Sequence, residues 1–349
     1  MPWKDKSIVM GFYQGIGDFL SAIPVANELL RQGNRVSMVV SRTNLELAEL
    51  VAWENEHIKL IEFAPFSSKP GAGFALMRDL IRLKADYVVV SPHAQKRVSS
   101  WKLPVLLWMV KHLARPRLKV VGSADERLSG LYDQRMTVDK QLDLTSRERV
   151  LHQAAGSVRD NCLLNMNIFT ITRSPSNGET TYDLVIHPGA SRDIKMWPIA
   201  LHRELIESLD TDLRIAFLGV PAELSPIEDA LGQRANVAYL SGSVTDAVRV
   251  VARAPVVLTM DSGFSHVAAF LGVRHFALFG STDPSAYPPR PDRSTMLYRQ
   301  VLPCQPCNLH TCPFDHAVCM QQVGPAEVAE AIIAALDMLG IGHVAAHPD

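Results

Sequence analysis

Apolar and polar positions alternate along the chain with two periods. Short runs of β-branched and apolar residues predict strands, and stretches of helical length separate them. In the first half these strand-like runs cover residues 7–12, 35–41, 57–63, 87–91 and 118–122, and helical stretches include 18–31 and 71–84. The alternation predicts an α/β domain in which helices cover both faces of a doubly wound, mostly parallel sheet.

The pattern stops and then begins again. Residues 173–181 are polar and contain Pro175, Asn177 and Gly178, a composition typical of a linker. After it, strand-like runs alternate with helices once more, at residues 182–187, 213–219, 236–240, 255–260 and 274–279. We therefore expect an amino-terminal Rossmann-like domain over residues 1–172 and a carboxyl-terminal one over residues 182–349.

Polar segments that contain glycine follow four of the predicted strands. They are Gly15-Ile16-Gly17-Asp18, the segment from His187 to Pro198, Asp261-Ser262-Gly263, and Gly280-Ser281-Thr282-Asp283. In an open α/β sheet, ligands bind at the carboxyl ends of the strands. A small-residue turn at a helix start also presents backbone N–H groups, which favour an anion.

Together these segments resemble glycosyltransferase family 9, the heptosyltransferase family. The matching motifs are G-x-G-D-x-L, H-P-G-A-S with its following Lys195 and Trp197, and D-S-G-x-x-H-x-A-A-x-L-G with F-G-x-T-D-P. They span residues 15 to 284 in the family's order. The resemblance implies the GT-B architecture, two Rossmann-like domains facing across a cleft, and inverting glycosyl transfer without a required cofactor. The implied donor is ADP-heptose, and the acceptor a lipopolysaccharide-core or other surface-glycan intermediate.

Sugar transfer needs a base for the acceptor hydroxyl and a cation for the leaving diphosphate. Asp18 follows two glycines at a strand end and is the candidate base, a role that the resemblance supports; the alternative is a helix N-cap. Lys195 is the candidate cation, assisted by the backbone N–H groups of Gly189, Ala190 and Ser191. An exposed, solvated lysine is the alternative.

The remaining candidates bind the donor or the acceptor. For the donor they are Asp261 for sugar hydroxyls, Ser262, Gly263 and His266 near the diphosphate, Thr282 and Asp283 in the pocket, and Glu223 for the nucleoside. His266 could equally be a histidine of the core. For the acceptor they are Gly15 and Gly17, with His93, Lys96 and Arg97 placed to meet an anionic glycolipid. The alternative for that basic loop is a solvated surface.

Composition and charge argue against a nucleic-acid-binding protein and against a segment that spans a membrane. The chain has 349 residues, 47% of them hydrophobic, and a formal net charge of −1, so it lacks the basic excess of a nucleic-acid binder. Residues 1–6 lead into a strand without the apolar core of a signal peptide, so we expect a cytoplasmic protein. The apolar run 103–110 is too short to span a bilayer. It predicts a helix that packs on the sheet, contacts the inner face of the membrane, or does both.

Four cysteines lie close together near the carboxyl end. They are Cys304, Cys307, Cys312 and Cys319, in a polar segment that also contains His310 and His316. A cytoplasmic chain does not rely on disulfides. The segment therefore suggests either a structural zinc or iron site or a set of loop-packing thiols, and the resemblance implies no catalytic metal.

Two other functions stay open at this point. A nucleotide-sugar epimerase shares the two-domain architecture, and it would isomerise a donor without an acceptor. A carbohydrate-binding protein without activity would bind nucleotide sugar or glycan and release it unchanged. The presence of Asp18, Lys195 and Asp261 favours a transferase over the second alternative.

Overall fold

The structure is a computed structural model. It describes residues 3–63, 71–91, 102–124, 128–139, 142–158, 164–171, 181–285, 289–290, 293–314 and 317–341. The chain divides into two compact units, residues 1–170 and residues 171–349. Except for Thr181, the predicted linker lies outside the described residues.

The amino-terminal unit is built on a parallel sheet. Within the described residues its six strands are β1 (Ser7–Tyr13), β2 (Arg35–Val40), β3 (Ile58–Glu62), β4 (Tyr87–Val90), β5 (Lys119–Ser123) and β6 (Gln134–Met136). Its helices are α1 (Ile16–Arg31), α2 (Arg42–Leu47), α3 (Ala72–Leu83), α4 (Lys102–Leu113) and α5 (Leu144–Ala154). All seven residues of β1 are buried, as expected for a strand covered on both faces.

Strand order locates the ligand position of this unit. The order is β3-β2-β1-β4-β5-β6, so the chain winds outward from β1 in one direction and returns to its other side at β4. The carboxyl ends of β1 and β4 therefore form a topological switch point, where open α/β sheets bind ligands. The segment Gly15 to Asp18 follows β1 at this point.

The carboxyl-terminal unit repeats this plan. The six strands of its described sheet are β7 (Leu184–His187), β8 (Ile215–Leu218), β9 (Val237–Leu240), β10 (Val256–Met260), β11 (Arg274–Phe279) and β12 (Ser294–Tyr298). Its helices are α6 (Ile199–Ser208), α7 (Pro221–Leu231), α8 (Val244–Arg253), α9 (Gly263–Leu271), α10 (Val318–Gln321) and α11 (Pro325–Met338). The order β12-β11-β10-β7-β8-β9 puts its switch point at the carboxyl ends of β7 and β10.

The sequence prediction of an α/β fold with two doubly wound units is confirmed. All ten predicted strands are present, each within two residues of its predicted bounds, whereas the polar strand β6 and strand β12 were not predicted. The apolar run at 103–110 forms part of α4, whose residues Leu103, Leu107 and Val110 are buried. Among the described helices, none combines the length and apolarity needed to cross a bilayer.

Candidate functional site

The predicted cation and the predicted sugar-binding acid meet at the switch point of the carboxyl-terminal sheet. Lys195 ends a short 3-10 turn, Asp193–Lys195, in the loop after β7, and Asp261 directly follows β10. The Lys195 ammonium forms an ion pair with the Asp261 carboxylate. Their side chains are only 11% and 12% exposed, so Lys195 is not the solvated surface lysine of the alternative interpretation.

Contacts on both sides of Lys195 hold its loop in place. The indole of Trp197 is 2% exposed and donates through Nε1 to the Val323 carbonyl at 3.1 Å. Arg192 donates through Nη1 to the carbonyls of Asn308 and Leu309, at 3.2 and 3.0 Å. The loop therefore presents Lys195 from a backbone fixed by later parts of the chain.

Three hydroxyl groups line the same edge of the sheet. Ser262 is the N-cap residue of α9, and Ser281 and Thr282 follow β11, the neighbour of β10. Their hydroxyl oxygens are buried and have no hydrogen-bond partner in the described part of the chain. Buried hydroxyls are nearly always paired, so these three are available to bond a polar ligand or ordered water.

Asp283, by contrast, is engaged within its own turn. Its Oδ1 accepts hydrogen bonds from the Ser285 amide at 2.8 Å and from the Ser285 hydroxyl at 2.7 Å. This arrangement closes the turn after β11. The contact gives Asp283 a structural role, and its predicted role in the donor pocket stays a prediction.

His187, the last residue of β7, is a member of the site that the sequence did not single out. Its ring stacks on Phe264 with centroids 4.4 Å apart, and its Nδ1 is buried without a partner among the described residues. Burial lowers the pKa of His187 to about 4, which keeps the ring neutral near pH 7. It therefore offers a hydrogen bond rather than a charge. His266, one turn inside α9, is 8% exposed, and both interpretations of it stay open.

Glu223 lies beside the loop after β7. In the first turn of α7 its Oε2 accepts a hydrogen bond from the Val220 amide at 3.1 Å. A Cβ atom placed on Gly189 would come within 2.1 Å of Glu223 Oε1, so a larger residue there would have to displace that carboxylate. Glu223 thus lies at the carboxyl edge of the sheet, and its predicted role in nucleoside binding stays a prediction.

The described part of the cysteine segment, residues 299–314 and 317–319, packs against this edge. The side chain of Gln305 donates to the Gly280 carbonyl at 3.0 Å, and the Asn308 amide donates to the Ser281 carbonyl at 2.9 Å. The pKa of the Cys319 thiol is raised, first by burial and then by the nearby Cys307 and Cys312. The described residues contain no group of three or more His, Cys, Asp or Glu that fits around one metal ion, and His316 lies outside them. The described thiols thus do not surround a common metal position, and the structural zinc or iron site stays a prediction.

The amino-terminal switch point contains the predicted base. The N-cap of α1 is Gly15, and Asp18 sits inside the first turn, so Asp18 is not the N-cap of the alternative interpretation. The amide of the buried Asn44 donates to the carbonyls of Tyr13 and Gly15, at 3.0 and 3.2 Å, and fixes this turn. Asp18 is half-buried there.

A second carboxylate lies at the same switch point, and sequence reasoning missed it. Glu148 of α5 is 0% exposed and accepts a hydrogen bond from Ser91, the residue after β4, at 2.5 Å. In the sequence Glu148 stands between Arg147 and Arg149. Such a charged run is typical of a solvated helix face, so the pattern gave no signal of burial. The basic acceptor candidates His93, Lys96 and Arg97 lie outside the described residues.

The sequence also matches known proteins. The family model "Glycosyltransferase family 9 (heptosyltransferase)" matches residues 121–318. Lipopolysaccharide heptosyltransferase 1 of Pseudomonas aeruginosa is 29% identical over 174 residues, 44% of this chain and 48% of that protein. The curated relatives are matched over 23% to 48% of their own lengths, so the matched segments span less than half of each.

Solved structures share the fold over nearly the whole chain. The structure titled "E. coli heptosyltransferase WaaC with ADP" has a TM-score of 0.69 at 20% identity, covering 94% of this chain and 99% of that one. A structure of WaaC with ADP-2-deoxy-2-fluoro heptose has a TM-score of 0.67 at 19% identity, covering 93% and 98%. An iron-containing dodecameric glycosyltransferase, TibC from enterotoxigenic E. coli, is more distant, with a TM-score of 0.58 at 13% identity, covering 97% and 78%. At these identities the structures indicate the fold alone.

Proposed function

The chain belongs to glycosyltransferase family 9, the heptosyltransferase family, and we propose that it transfers heptose from ADP-heptose to a lipopolysaccharide-core or other surface-glycan acceptor, with inversion at the anomeric carbon. The observation that carries this proposal is the carboxyl-terminal switch point. There a lysine with only 11% of its side chain exposed and three buried hydroxyls, which have no partner among the described residues, lie after neighbouring strands at one edge of the sheet. Such a set of donors suits a diphosphate.

Donor binding belongs to the carboxyl-terminal unit in this proposal. The Lys195 ammonium and the N-terminus of α9 bind the diphosphate, and Ser262, Ser281 and Thr282 donate hydrogen bonds to its oxygens. Asp261 holds Lys195 in position and accepts hydrogen bonds from sugar hydroxyls. Two structures of the E. coli relative contain ADP and an ADP-heptose analogue, which supports an ADP-linked donor.

Asp18 acts as the general base in the amino-terminal unit. Its carboxylate takes the proton of the acceptor hydroxyl as that oxygen bonds to the anomeric carbon. The bond from the anomeric carbon to ADP breaks, and its electron pair goes to the diphosphate oxygen beside Lys195. Attack from the face opposite ADP inverts the configuration.

We also propose peripheral contact with the inner face of the cytoplasmic membrane, through α4. Trp108, Met109 and Leu113 are 43%, 37% and 75% exposed on this helix. Phe74 on α3, which packs against α4, is 75% exposed. Aromatic and aliphatic side chains beside basic ones suit a lipid headgroup layer. In a flotation assay with anionic vesicles, the wild type should rise with the lipid, whereas a variant with Trp108→Ser and Leu113→Ser should stay in the lower fraction. Equal flotation of both proteins would contradict the contact.

A donor screen followed by a transfer assay tests the function. Calorimetry with ADP-, GDP- and UDP-sugars should select the ADP-linked donor, and transfer should extend a core glycan from a strain lacking this gene, detected as a mass increase of one heptose. Isomerised donor without acceptor would instead establish an epimerase. Binding without either product would establish a carbohydrate-binding protein.

A further inference from the structure

A buried carboxylate, that of Glu148, lies at the amino-terminal switch point. Helix α5 packs against α1 and carries Glu148 to the end of β4, where Oε1 accepts the hydrogen bond from Ser91. Glu148 Oε2 is also buried and has no partner among the described residues. Tyr13, the last residue of β1, is 1% exposed and lies within electrostatic reach of Glu148.

The groups that act on Glu148 come from three elements. They are the hydroxyl of Ser91 after β4, the hydroxyl of Tyr13 on β1 and the carboxylate of Asp18 on α1. On α5 itself, Arg147 donates through Nε to the Leu142 carbonyl at 2.8 Å. His152 contacts the Ser157 hydroxyl through Nδ1 at 2.7 Å.

In these surroundings Glu148 gains its negative charge near neutral pH. Burial raises the pKa of Glu148 to about 7, and the Asp18 charge acts in the same direction, whereas the Ser91 and Tyr13 hydroxyls lower it. Interaction between two acids is mutual, so an ionised Glu148 also makes Asp18 hold a proton more tightly.

We propose that Glu148 is a positioning residue for transfer: Ser91 holds its buried carboxylate at the amino-terminal switch point, and its negative charge makes Asp18 a stronger base for the acceptor hydroxyl. This role rests on the proposed transferase function with Asp18 as base. A general base is most efficient when its pKa lies near the operating pH. Ionised Glu148 should therefore accelerate the chemical step without contacting the donor.

The pH profile of transfer tests this role. The wild-type kcat should rise through pH about 7 as Glu148 ionises. Glu148→Gln should lose that rise. Its kcat at pH 8 should be lower than that of the wild type by on the order of 3- to 10-fold, with an unchanged KM for the donor. Ser91→Ala should keep the rise but move it to higher pH, because the hydroxyl that favours the carboxylate is gone.

His152→Gln is the matched control on the same helix. Burial lowers the pKa of His152 to about 3, so this residue stays neutral across the assay range. The variant should keep the rise at the wild-type pH even if it is less stable. A Glu148→Gln enzyme with the wild-type profile, or with a changed donor KM and an unchanged profile, would overturn the proposal.

A readout without turnover separates this proposal from the transferase function. In carbon-13 NMR of labelled glutamate carboxyls, Asp18→Asn should lower the titration midpoint of Glu148, since a neighbouring negative charge is removed. An unchanged midpoint would contradict the coupling between Glu148 and Asp18, even if the enzyme is an active transferase. A lowered midpoint in a protein that transfers no sugar upholds the coupling and rejects the function.

Discussion

The Lys195–Asp261 ion pair predicts that Lys195→Ala weakens donor binding through two separate electrostatic effects. Both side chains are nearly 90% buried, with 11% and 12% exposure, so removal of the ammonium leaves the Asp261 carboxylate buried without its cation. The variant therefore loses an attraction for the donor diphosphate and gains a repulsion. A second substitution, Asp261→Asn, removes the repulsion alone.

The two contributions can be estimated separately. A charge-assisted hydrogen bond contributes about 1.5–3 kcal/mol, which corresponds to a roughly 10- to 150-fold loss of ADP affinity. Two like charges about 6 Å apart repel by about 3 kcal/mol at an effective dielectric constant of about 20. Lys195→Ala should therefore weaken ADP binding by more than the loss of the charge-assisted hydrogen bond alone. Asp261→Asn in that background should restore the ADP affinity by about 10-fold or more.

Calorimetry with ADP and with adenosine measures both effects. Adenosine carries no phosphate, so its affinity should be the same in all four proteins of the double-mutant cycle. Lys195→Arg should recover part of the ADP affinity, because a planar guanidinium meets the phosphate in a different geometry. Equal losses for ADP and adenosine, or a double variant weaker than Lys195→Ala, would refute the reasoning.

Three further predictions concern other residues. Asp18→Ala should slow transfer by about 100- to 10,000-fold and leave ADP affinity unchanged, and a variant with near wild-type turnover would reject Asp18 as base. Gly189→Ala should displace the Glu223 carboxylate, 2.1 Å from the added Cβ, and lower the adenosine affinity, whereas Gly324→Ala, with open space at its Cβ, should leave that affinity unchanged. Elemental analysis of protein purified without a metal column should find less than about 0.2 equivalents of zinc or iron; one equivalent held by Cys304, Cys307, Cys312 and Cys319 would show that these thiols rearrange around a metal.

The sequence predicted the positions of strands and the residues that follow them. The long apolar runs of β1, β7 and β10 have few alternatives to a buried parallel strand, and motif residues after such strands must lie at the carboxyl edge. The sequence therefore predicted that Lys195 and Asp261 share an edge. It did not predict their ion pair, because strand order decides which loops are neighbours.

Other parts of the site depend on long-range packing and escaped prediction. Glu148 is buried because α5 lies against α1, although its neighbours in sequence are charged. His187 stands in a predicted motif, but its role follows from stacking on Phe264, which is 77 residues later in a separate helix. Neither contact has a periodic signal in the sequence, because both arise only when the elements assemble.

The hydrogen bonds of Arg192 have a consequence for biosynthesis. They reach the carbonyls of Asn308 and Leu309, more than 110 residues further along the chain, whereas the amino-terminal unit is complete by residue 170. A ribosome releases the chain from its amino end, so the first unit can fold while the second is still being made. The Lys195 loop gains these two supports only after Leu309 has left the exit tunnel, and the Trp197 bond to Val323 forms later still. A translational stop before Leu309 should yield a folded amino-terminal unit and a Lys195 loop without these anchors.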